Sequence, residues 1–272
     1  MIQFVPLRLI VTLLLASIAG LAASAAEAPS NKLRVLVLSG ANNHKWQETS
    51  PAIKETLEAS GRFAVDIENN VPGMNAGSFA PYAVILGNFN TFGSNAPAQV
   101  WDAATRKGFL DHMANSHGLV IVHAGSSVFY DWPEFQKLAC GSWGAATKHG
   151  PISIAQVTFT ETNNPITAGL KPFWIRDEFW ELTQLAPGTT PLAAVTLTAA
   201  DGKHENVLFT NESGGGRGFA MFLGHDASVM KNTAWRSLLQ RGTEWAATGK
   251  VTIPPAQDWP ATQTDAQRMS PP

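Results

Sequence analysis

The sequence predicts a layered α/β fold, with a mostly parallel central sheet between two layers of helices. Short apolar runs alternate with segments of helical period through the first half of the chain. The run Tyr82-Ala-Val-Ile-Leu-Gly87 is almost continuously apolar, as expected of a strand covered on both faces. At 272 residues the chain is long enough for one large domain with a substantial core.

In the first half of the chain, predicted strands alternate with predicted helices. A strand at 33–39 is followed by Thr49-Ser-Pro51, a cap and first-turn proline that predict a helix, which Gly61 can end. A strand at 63–67 and the one at 82–87 come next. Helical spacing then links residues 100–113 before a strand that ends at Val122. This order of elements predicts a three-layer sandwich.

The second half has the alternating patterns of half-buried antiparallel strands, which we expect to extend or flank the sheet. These strands are predicted at residues 152–159, 191–197 and 206–210. Gly214-Gly-Gly-Arg-Gly218 indicates a tight turn before a further strand at Phe219. The last helix is predicted over 233–247, with Gly249 as its stop.

The two ends of the chain differ from this pattern. Arg8, an apolar stretch over 9–22 and Ala23-Ser-Ala25 are typical of a signal peptide cleaved after about residue 25, which predicts a periplasmic or secreted protein. An uncleaved anchor is the alternative, although the apolar stretch is short for a membrane span. The folded domain is predicted over 32–251, and the polar segment 252–272 as a disordered tail.

Composition restricts the partners. A net charge of -2 without a basic block argues against nucleic acid and against stable membrane association after signal cleavage. Small neutral or weakly charged molecules fit better, and the sequence does not determine the oligomeric state. Cys140 is the only cysteine, which excludes an internal disulfide and any multi-cysteine metal site.

Four histidines lie at or near strand ends. His44, His123 and His225 follow apolar runs, and His149 precedes one. Because parallel strands end along one edge of a sheet, where open α/β sheets bind ligands, we expect them to share a pocket. Neutral imidazole binds zinc-like divalent metals and also carries protons near neutral pH, so these four are both candidate catalytic residues and candidate metal ligands. Each could instead be a hydrogen-bonded loop residue.

Carboxylates and aromatic residues complete the candidate site. Asp131 and Glu178 are candidate proton carriers, with Glu178 favoured because nothing near it in sequence needs a cap. Candidate substrate-binding residues are Asn43, Trp46, Trp132, Trp143 and Asp226. Tryptophan rings can stack on sugar faces but also fill cores, and aspartates can cap helices, so structural roles remain open for these residues.

Several short motifs together resemble the ThuA-like family, the trehalose-utilisation proteins. They are Leu38-Ser-Gly-Ala-Asn-Asn-His44 with Trp46, Val122-His-Ala-Gly125, Asp131-Trp-Pro133, His149-Gly-Pro151, Asn164-Pro-Ile-Thr167, Asp177-Glu178 and Leu223-Gly-His-Asp226. The resemblance spans residues 32–251. It implies a flavodoxin-like fold similar to class I glutamine amidotransferases, and a link to disaccharide or other sugar metabolism.

The chain departs from the amidotransferases at their nucleophile. In that fold the cysteine occupies a sharp turn after a strand, and the matching turn here, Val122-His123-Ala124-Gly125, has none. Cys140 lies well past it, so glutaminase activity is not expected. Ser126 and Ser127 could act as nucleophiles with a histidine base, although the G-x-S-x-G pattern of serine hydrolases is absent.

The favoured function is processing of a disaccharide or an oxidised (keto) sugar by isomerisation, elimination or hydrolysis. Histidine and carboxylate groups would move a proton next to a carbonyl, with assistance from a divalent metal if one is bound. A non-catalytic sugar- or metal-binding module is the main alternative. A domain that docks on a membrane-bound dehydrogenase is a third.

Overall fold

The computed structural model describes residues 1–3, 32–92, 100–197 and 204–270. The predicted signal peptide therefore lies outside the described residues apart from its first three. The chain divides into the units Met1–Asn31 and Lys32–Pro272, and every element below belongs to the second. No helix in the described ranges combines the length and apolar character needed to cross a bilayer.

Strands and helices alternate in the first half, and strands dominate the second. The strands are β1 (Leu33–Leu38), β2 (Phe63–Glu68), β3 (Val84–Gly87), β4 (Gly118–Val122), β5 (Gly141–Ser142), β6 (Lys148–Phe159), β7 (Phe173–Glu181), β8 (Gln184–Leu185), β9 (Thr190–Thr196), β10 (His204–Ser213) and β11 (Gly216–Met221). The helices are α1 (Trp46–Glu58), α2 (Ala103–Ala114), α3 (Pro133–Leu138), α4 (Thr233–Thr248) and α5 (Gln263–Met269).

The central sheet confirms the predicted fold class. Its order in the described chain is β2-β1-β3-β4-β11-β10-β9-β6-β7. The pairs from β2 through β11 are parallel, and those from β11 through β7 are antiparallel. The parallel half has the flavodoxin-like order, with β1 at the point where the chain changes direction across the sheet. The chain thus has the class I glutamine amidotransferase-like fold that the motifs implied, extended by antiparallel strands.

Alternation along β1 shows why the sheet is covered on both faces. Val35 and Val37 pack into one buried cluster with α1 and α4, whereas Leu36 and Leu38 pack into a second cluster with α2 and α3. Successive side chains of a strand point to opposite faces, so an unbroken apolar run fills both cores. This arrangement leaves the strand ends as the place for polar side chains.

Helix α4 is joined to the segment before β7 by a buried arginine. The Arg241 guanidinium donates to four backbone carbonyls, those of Pro165, Ile166, Ala168 and Ile253, at 2.6–3.1 Å. Each of these carbonyls would lose its donor if the guanidinium were removed, and buried polar groups without partners are costly. Arg241 therefore helps fix where β7 begins.

We expect Arg241→Ala to lower the free energy of unfolding by about 3 kcal/mol, because it removes a buried side chain and leaves the buried Ile166 carbonyl and three partly buried carbonyls without their donor. Denaturant unfolding followed by circular dichroism measures this. Arg236→Ala is the matched control on the same helix, since Arg236 pairs with the exposed Glu55 at 3.4 Å. A change of about 0.5 kcal/mol is expected there. Equal effects of the two substitutions would contradict the anchoring role of Arg241.

The structure differs from the sequence prediction at the C-terminal end. Residues 252–270, predicted to be a disordered tail, contain α5 and pack on the domain. The Trp259 ring lies 5.7 Å from that of Phe173, and Ala266 and Met269 are buried. Composition indicated a polar segment, but three widely spaced apolar side chains are enough to hold it against the sheet. The sequence analysis also missed β7.

Candidate metal centre

Three of the predicted histidines meet at the carboxyl edge of the parallel strands. His44 follows β1, His123 follows β4 and His225 follows β11. Their ring centroids are 4.6–5.5 Å apart, and each pair of rings is close to perpendicular, at 86–90°. Perpendicular rings do not stack face to face, and this arrangement allows a nitrogen from each ring to approach a common point.

His123 occupies the turn that carries the nucleophile in amidotransferases. Its backbone has a φ of +44°, in the left-handed region, and a 3₁₀ turn follows over His123–Ser126. Gly125 permits this turn, since a Cβ there would lie 2.0 Å from the carbonyl oxygen of Gly87. His123 Nδ1 donates to the Phe222 carbonyl oxygen at 2.9 Å, which leaves the buried Nε2 without a hydrogen-bond partner.

A set of asparagine side chains orients His44. Its Nδ1 lies 3.2 Å from the amide oxygens of both Asn42 and Asn43, so Nδ1 carries the proton and Nε2 keeps its lone pair. Asn90, which is fully buried, donates to the same two oxygens at 2.8 Å and to the Ala124 carbonyl at 3.1 Å. Asn90 thereby ties the loop of His44 to the turn of His123.

The fourth member of the cluster, Glu178, comes from β7 at the far end of the sheet order. The antiparallel half curls back, as shown by Asp177, whose carboxylate accepts from the backbone N–H groups of Gly224 at 2.7 Å and His225 at 3.2 Å. Complete burial raises the pKa of Asp177 to about 6, against the opposing effect of His123. Asp177 therefore holds the loop of His225 beside the strand that carries Glu178.

Both carboxylate oxygens of Glu178 are engaged. Oε2 accepts from Trp180 Nε1 at 2.9 Å and lies 3.4 Å from both His123 Nε2 and His225 Nδ1. Oε1 accepts from His149 Nδ1 at 3.0 Å. Burial alone would raise the pKa of Glu178, but the imidazoles of His123 and His225 hold it well below its ordinary value. The group is therefore a carboxylate, and a poor proton carrier.

The donor set fits a divalent metal. One ligand atom from each of His44, His123, Glu178 and His225 lies within 4.8 Å of the others. Tetrahedral zinc–nitrogen and zinc–oxygen bonds of about 2.1 Å would place ligand atoms about 3.4 Å apart, and the two distances from Glu178 Oε2 to imidazole nitrogens already have that value. His123 Nε2 and His225 Nδ1 are buried without hydrogen-bond partners, which a cation would supply.

Electrostatics supports the same interpretation. Burial, with the imidazoles of His123 and His225, lowers the pKa of His44 to about 3, so the ring is neutral and able to bind a metal. The Glu178 carboxylate, 3.4 Å from His225 Nδ1, raises the pKa of His225 above its ordinary value. A metal and a proton would therefore compete for this ring nitrogen.

A cavity of about 830 Å³ opens on this cluster. His44 and His225 line it directly, whereas His123 and Glu178 are buried behind them. His149 also lines the cavity, with about half of its side chain exposed, and Trp143 packs against it with ring centroids 4.3 Å apart. The size and position suit a small-molecule ligand above the cluster.

The other predicted site residues divide into two groups. Asn43, Trp46 and Asp226 line the cavity, and Asp226 also caps the turn at Ser228. The structure does not bring Asp131 and Trp132 there. The Asp131 carboxylate pairs with Arg106 at 3.0 Å with about 70% of its side chain exposed, and Trp132 is buried in an aromatic cluster.

Sequence reasoning overlooked Asn90 and Arg176, and it considered Asp177 only as a pocket carboxylate next to Glu178, without a defined role. Asn90 lies just after β3, so the strand-end rule that selected the histidines could have selected it. Asp177 and Arg176 depend on how β7 curls back, for which the sequence gave no signal.

The side chains considered as nucleophiles for the serine hydrolase and glutaminase alternatives are buried, including Ser127. Ser126 is completely buried, and its hydroxyl lies 3.4 Å from the His123 carbonyl oxygen. Cys140 is also completely buried, and burial raises the pKa of its thiol far above the ordinary value. Only the thiolate reacts with alkylating reagents, and it is the form that burial suppresses.

We therefore expect native protein to resist iodoacetamide at pH 8, because Cys140 stays protonated and inaccessible. Intact-mass analysis should show no adduct on the native protein and one adduct after unfolding in guanidinium chloride. Rapid labelling of the native protein would show that the thiol is accessible after all.

Comparisons with known proteins agree with the fold. A family model described as "ThuA: Trehalose utilisation" matches residues 34–246. A ThuA-like protein from Parabacteroides merdae superposes with a TM-score of 0.74 at 27% identity, covering 85% of this chain and 95% of the other. One from Bacteroides uniformis has a TM-score of 0.61 at 17% identity, covering 84% and 96%.

More distant structures share the fold alone. A protein from Salmonella typhimurium, described as cytoplasmic, has a TM-score of 0.57 at 10% identity, covering 79% of this chain and 99% of the other. A search of curated proteins found no significant match. Since the family model covers most of the chain, and the domain superposes on ThuA-like structures over nearly their full length, this protein belongs to the ThuA family.

Proposed function

We propose that this protein is an enzyme that moves a proton next to the carbonyl of an oxidised (keto) sugar derivative, at a divalent metal held by His44, His123, His225 and Glu178. The observation that carries the proposal is the convergence of three perpendicular imidazoles on one buried carboxylate beneath a cavity. The family's link to trehalose utilisation supports a sugar as the substrate.

The chain's own residues would prepare the metal site. Asn42, Asn43 and the Phe222 carbonyl fix the tautomers of His44 and His123, so that each ring keeps one lone pair for the metal. Trp180 and His149 orient the Glu178 carboxylate through its two oxygens. A divalent metal in such a site acts as a Lewis acid toward a carbonyl oxygen.

His149 is the proposed proton carrier. Its Nδ1 donates to Glu178 Oε1, which leaves the lone pair on Nε2 as the base, and the ring lines the cavity. In the proposed step Nε2 takes the proton from the carbon next to the carbonyl, and the C–H electron pair moves toward the carbonyl oxygen. Return of the proton to the former carbonyl carbon, while the hydroxyl proton of the first carbon passes to the other oxygen, completes an isomerisation. Alternatively, the C–O bond to a glycosidic oxygen on the next carbon breaks, the carbonyl re-forms, and the departing oxygen takes a proton from water, which completes an elimination.

Sugar binding is assigned to the rim of the cavity. Trp46 lines it, and Trp143 packs against His149. Aromatic faces stack on the C–H faces of sugar rings. Asn43 and Asp226, which also line the cavity, offer amide and carboxylate groups for hydroxyls. These residues would hold the ring while His149 acts on it.

A periplasmic or secreted location belongs to the same proposal. It is supported by the sequence pattern of Arg8, the apolar stretch over 9–22 and Ala23-Ser-Ala25. Mass spectrometry of the N-terminal peptide from protein secreted by a Gram-negative host would give the cleavage site, which we place near Ala25.

Hydrogen exchange at carbon tests the proposed chemistry. Full-length protein loaded with zinc, manganese or cobalt is incubated in D₂O with keto-trehalose and, separately, with trehalose, and both are followed by NMR. We expect deuterium to replace the hydrogen next to the carbonyl of keto-trehalose and expect no exchange in trehalose. This readout detects proton abstraction even where no product accumulates.

Binding of either sugar without exchange, for every metal tried, would favour the non-catalytic binding module. If metal-stripped protein exchanged the hydrogen at the same rate, proton abstraction would not require the metal. Both outcomes contradict the proposed mechanism.

A further inference from the structure

An arginine on the strand of Glu178 has no partner among the described residues. Arg176 lies on β7 two residues before Glu178, so both side chains leave the same face of the strand. It is half-buried and lines the same cavity as His44, His149 and His225. The guanidinium makes no hydrogen bond or ion pair to any residue within the described ranges.

The other described arginines all have partners. Four pair with carboxylates of Asp66, Glu244, Asp131 and Glu55, one contacts Asp258 and Asp265, and two donate to backbone carbonyls. These partners include exposed pairs on the surface. An arginine that is half-buried at a cavity and still unpaired is therefore the exception in this domain.

The acids on the same strand and in the same cavity as Arg176 already have partners. Glu178 is bound by His149 and Trp180, and Asp177 accepts from the loop of His225. Asp226 accepts from Ser228. In the same cavity Glu48 lies 3.6 Å from Lys45. The fold thus keeps these carboxylates away from the Arg176 guanidinium.

We propose that Arg176 binds a carboxylate on the substrate, so that the preferred ligand is an acidic sugar such as a uronic or aldonic acid unit. This inference rests on the proposed function and specifies its substrate. The guanidinium group has five N–H donors and no acceptor, and its planar fork forms two parallel hydrogen bonds to a carboxylate. A neutral hydroxyl both donates and accepts, so it is bound better by groups that can do both. A cavity of about 830 Å³ has room for an acidic group beside the reacting ring.

Binding affinity measured without turnover tests this assignment. Zinc-loaded full-length protein is titrated with glucuronate and with glucose by isothermal calorimetry or ligand-observed NMR. We expect glucuronate to bind about tenfold or more tightly than glucose. Arg176→Gln should remove this preference by weakening glucuronate, with the affinity for glucose unchanged within about twofold. Arg176→Lys, which keeps the charge without the fork, should retain part of it.

Controls separate Arg176 from other sources of selectivity. Arg34→Gln removes the same charge at a position that does not line the cavity and should leave the preference intact. Equal affinities in the wild type, or a preference that survives Arg176→Gln because the metal contacts the carboxylate, would overturn the proposal. The affinity test measures binding and not turnover, so a failure of the carbon-exchange test would leave the assignment of Arg176 standing. Conversely, carbon exchange with neutral keto sugars would not support the assignment if glucuronate binds no better than glucose.

Discussion

Glu178→Gln is expected to weaken metal binding strongly, and with it activity, while leaving the fold intact. The substitution preserves shape, so Trp180 can still donate to the side-chain oxygen at this position. It removes the one charged ligand, and it places an amide donor or a weak neutral acceptor where His123 and His225 offer lone pairs. We expect metal affinity to fall by about 100-fold or more, since even residues behind the ligands contribute 10- to 100-fold.

Competition with a chromophoric chelator measures that affinity, and circular dichroism checks the fold. Glu181→Gln is the matched control on the same strand, because Glu181 is outside the cluster. Its metal affinity should equal that of the wild type. Unchanged affinity in Glu178→Gln would remove this carboxylate from the metal site and leave only the three histidines.

His149→Ala is expected to separate proton transfer from metal binding. A positioned base contributes roughly 100- to 10,000-fold to the rate, so carbon exchange with a keto sugar should fall by at least about 100-fold. Loss of this contact to Glu178 should lower metal affinity by about 100-fold at most. One ion should still bind at saturating metal, because His149 is not in the group of four converging ligand atoms.

His204→Ala is the control for His149, since His204 bonds Thr196 at an exposed position outside the cavity. It should change neither readout. Loss of metal from His149→Ala would instead make His149 a ligand, as the sequence analysis first allowed. Retention of full exchange would exclude it as the base.

The histidines could be predicted from the sequence because their position depends on local rules. Each of His44, His123 and His225 follows an apolar strand, and parallel strands end along a common edge, so their convergence followed from strand order alone. The tautomers did not follow, because they depend on the Phe222 carbonyl, which reaches His123 from the end of another strand, and on Asn90, which holds Asn42 beside His44.

The positions of the carboxylates could not be predicted from local sequence patterns. Asp131 and Glu178 looked similar in sequence, each beside an aromatic residue. Asp131 faces outward to Arg106, whereas Glu178 reaches the cluster because the antiparallel half of the sheet curls back and Asp177 holds it against the loop of His225. That curvature is a property of the whole sheet, and no local pattern encodes it. The unpaired Arg176 depends on the same curvature.

Metal titration tests the central claim most directly. Protein purified without a metal-binding tag is stripped with a chelator, titrated with Co²⁺ and followed by visible absorption, with metal content checked by elemental analysis. We expect one ion per chain, an absorption spectrum typical of tetrahedral cobalt bound by nitrogen and oxygen, and loss of both in His123→Ala. Absence of stoichiometric binding, or the same spectrum and stoichiometry in His123→Ala, would contradict a metal centre at this edge of the sheet.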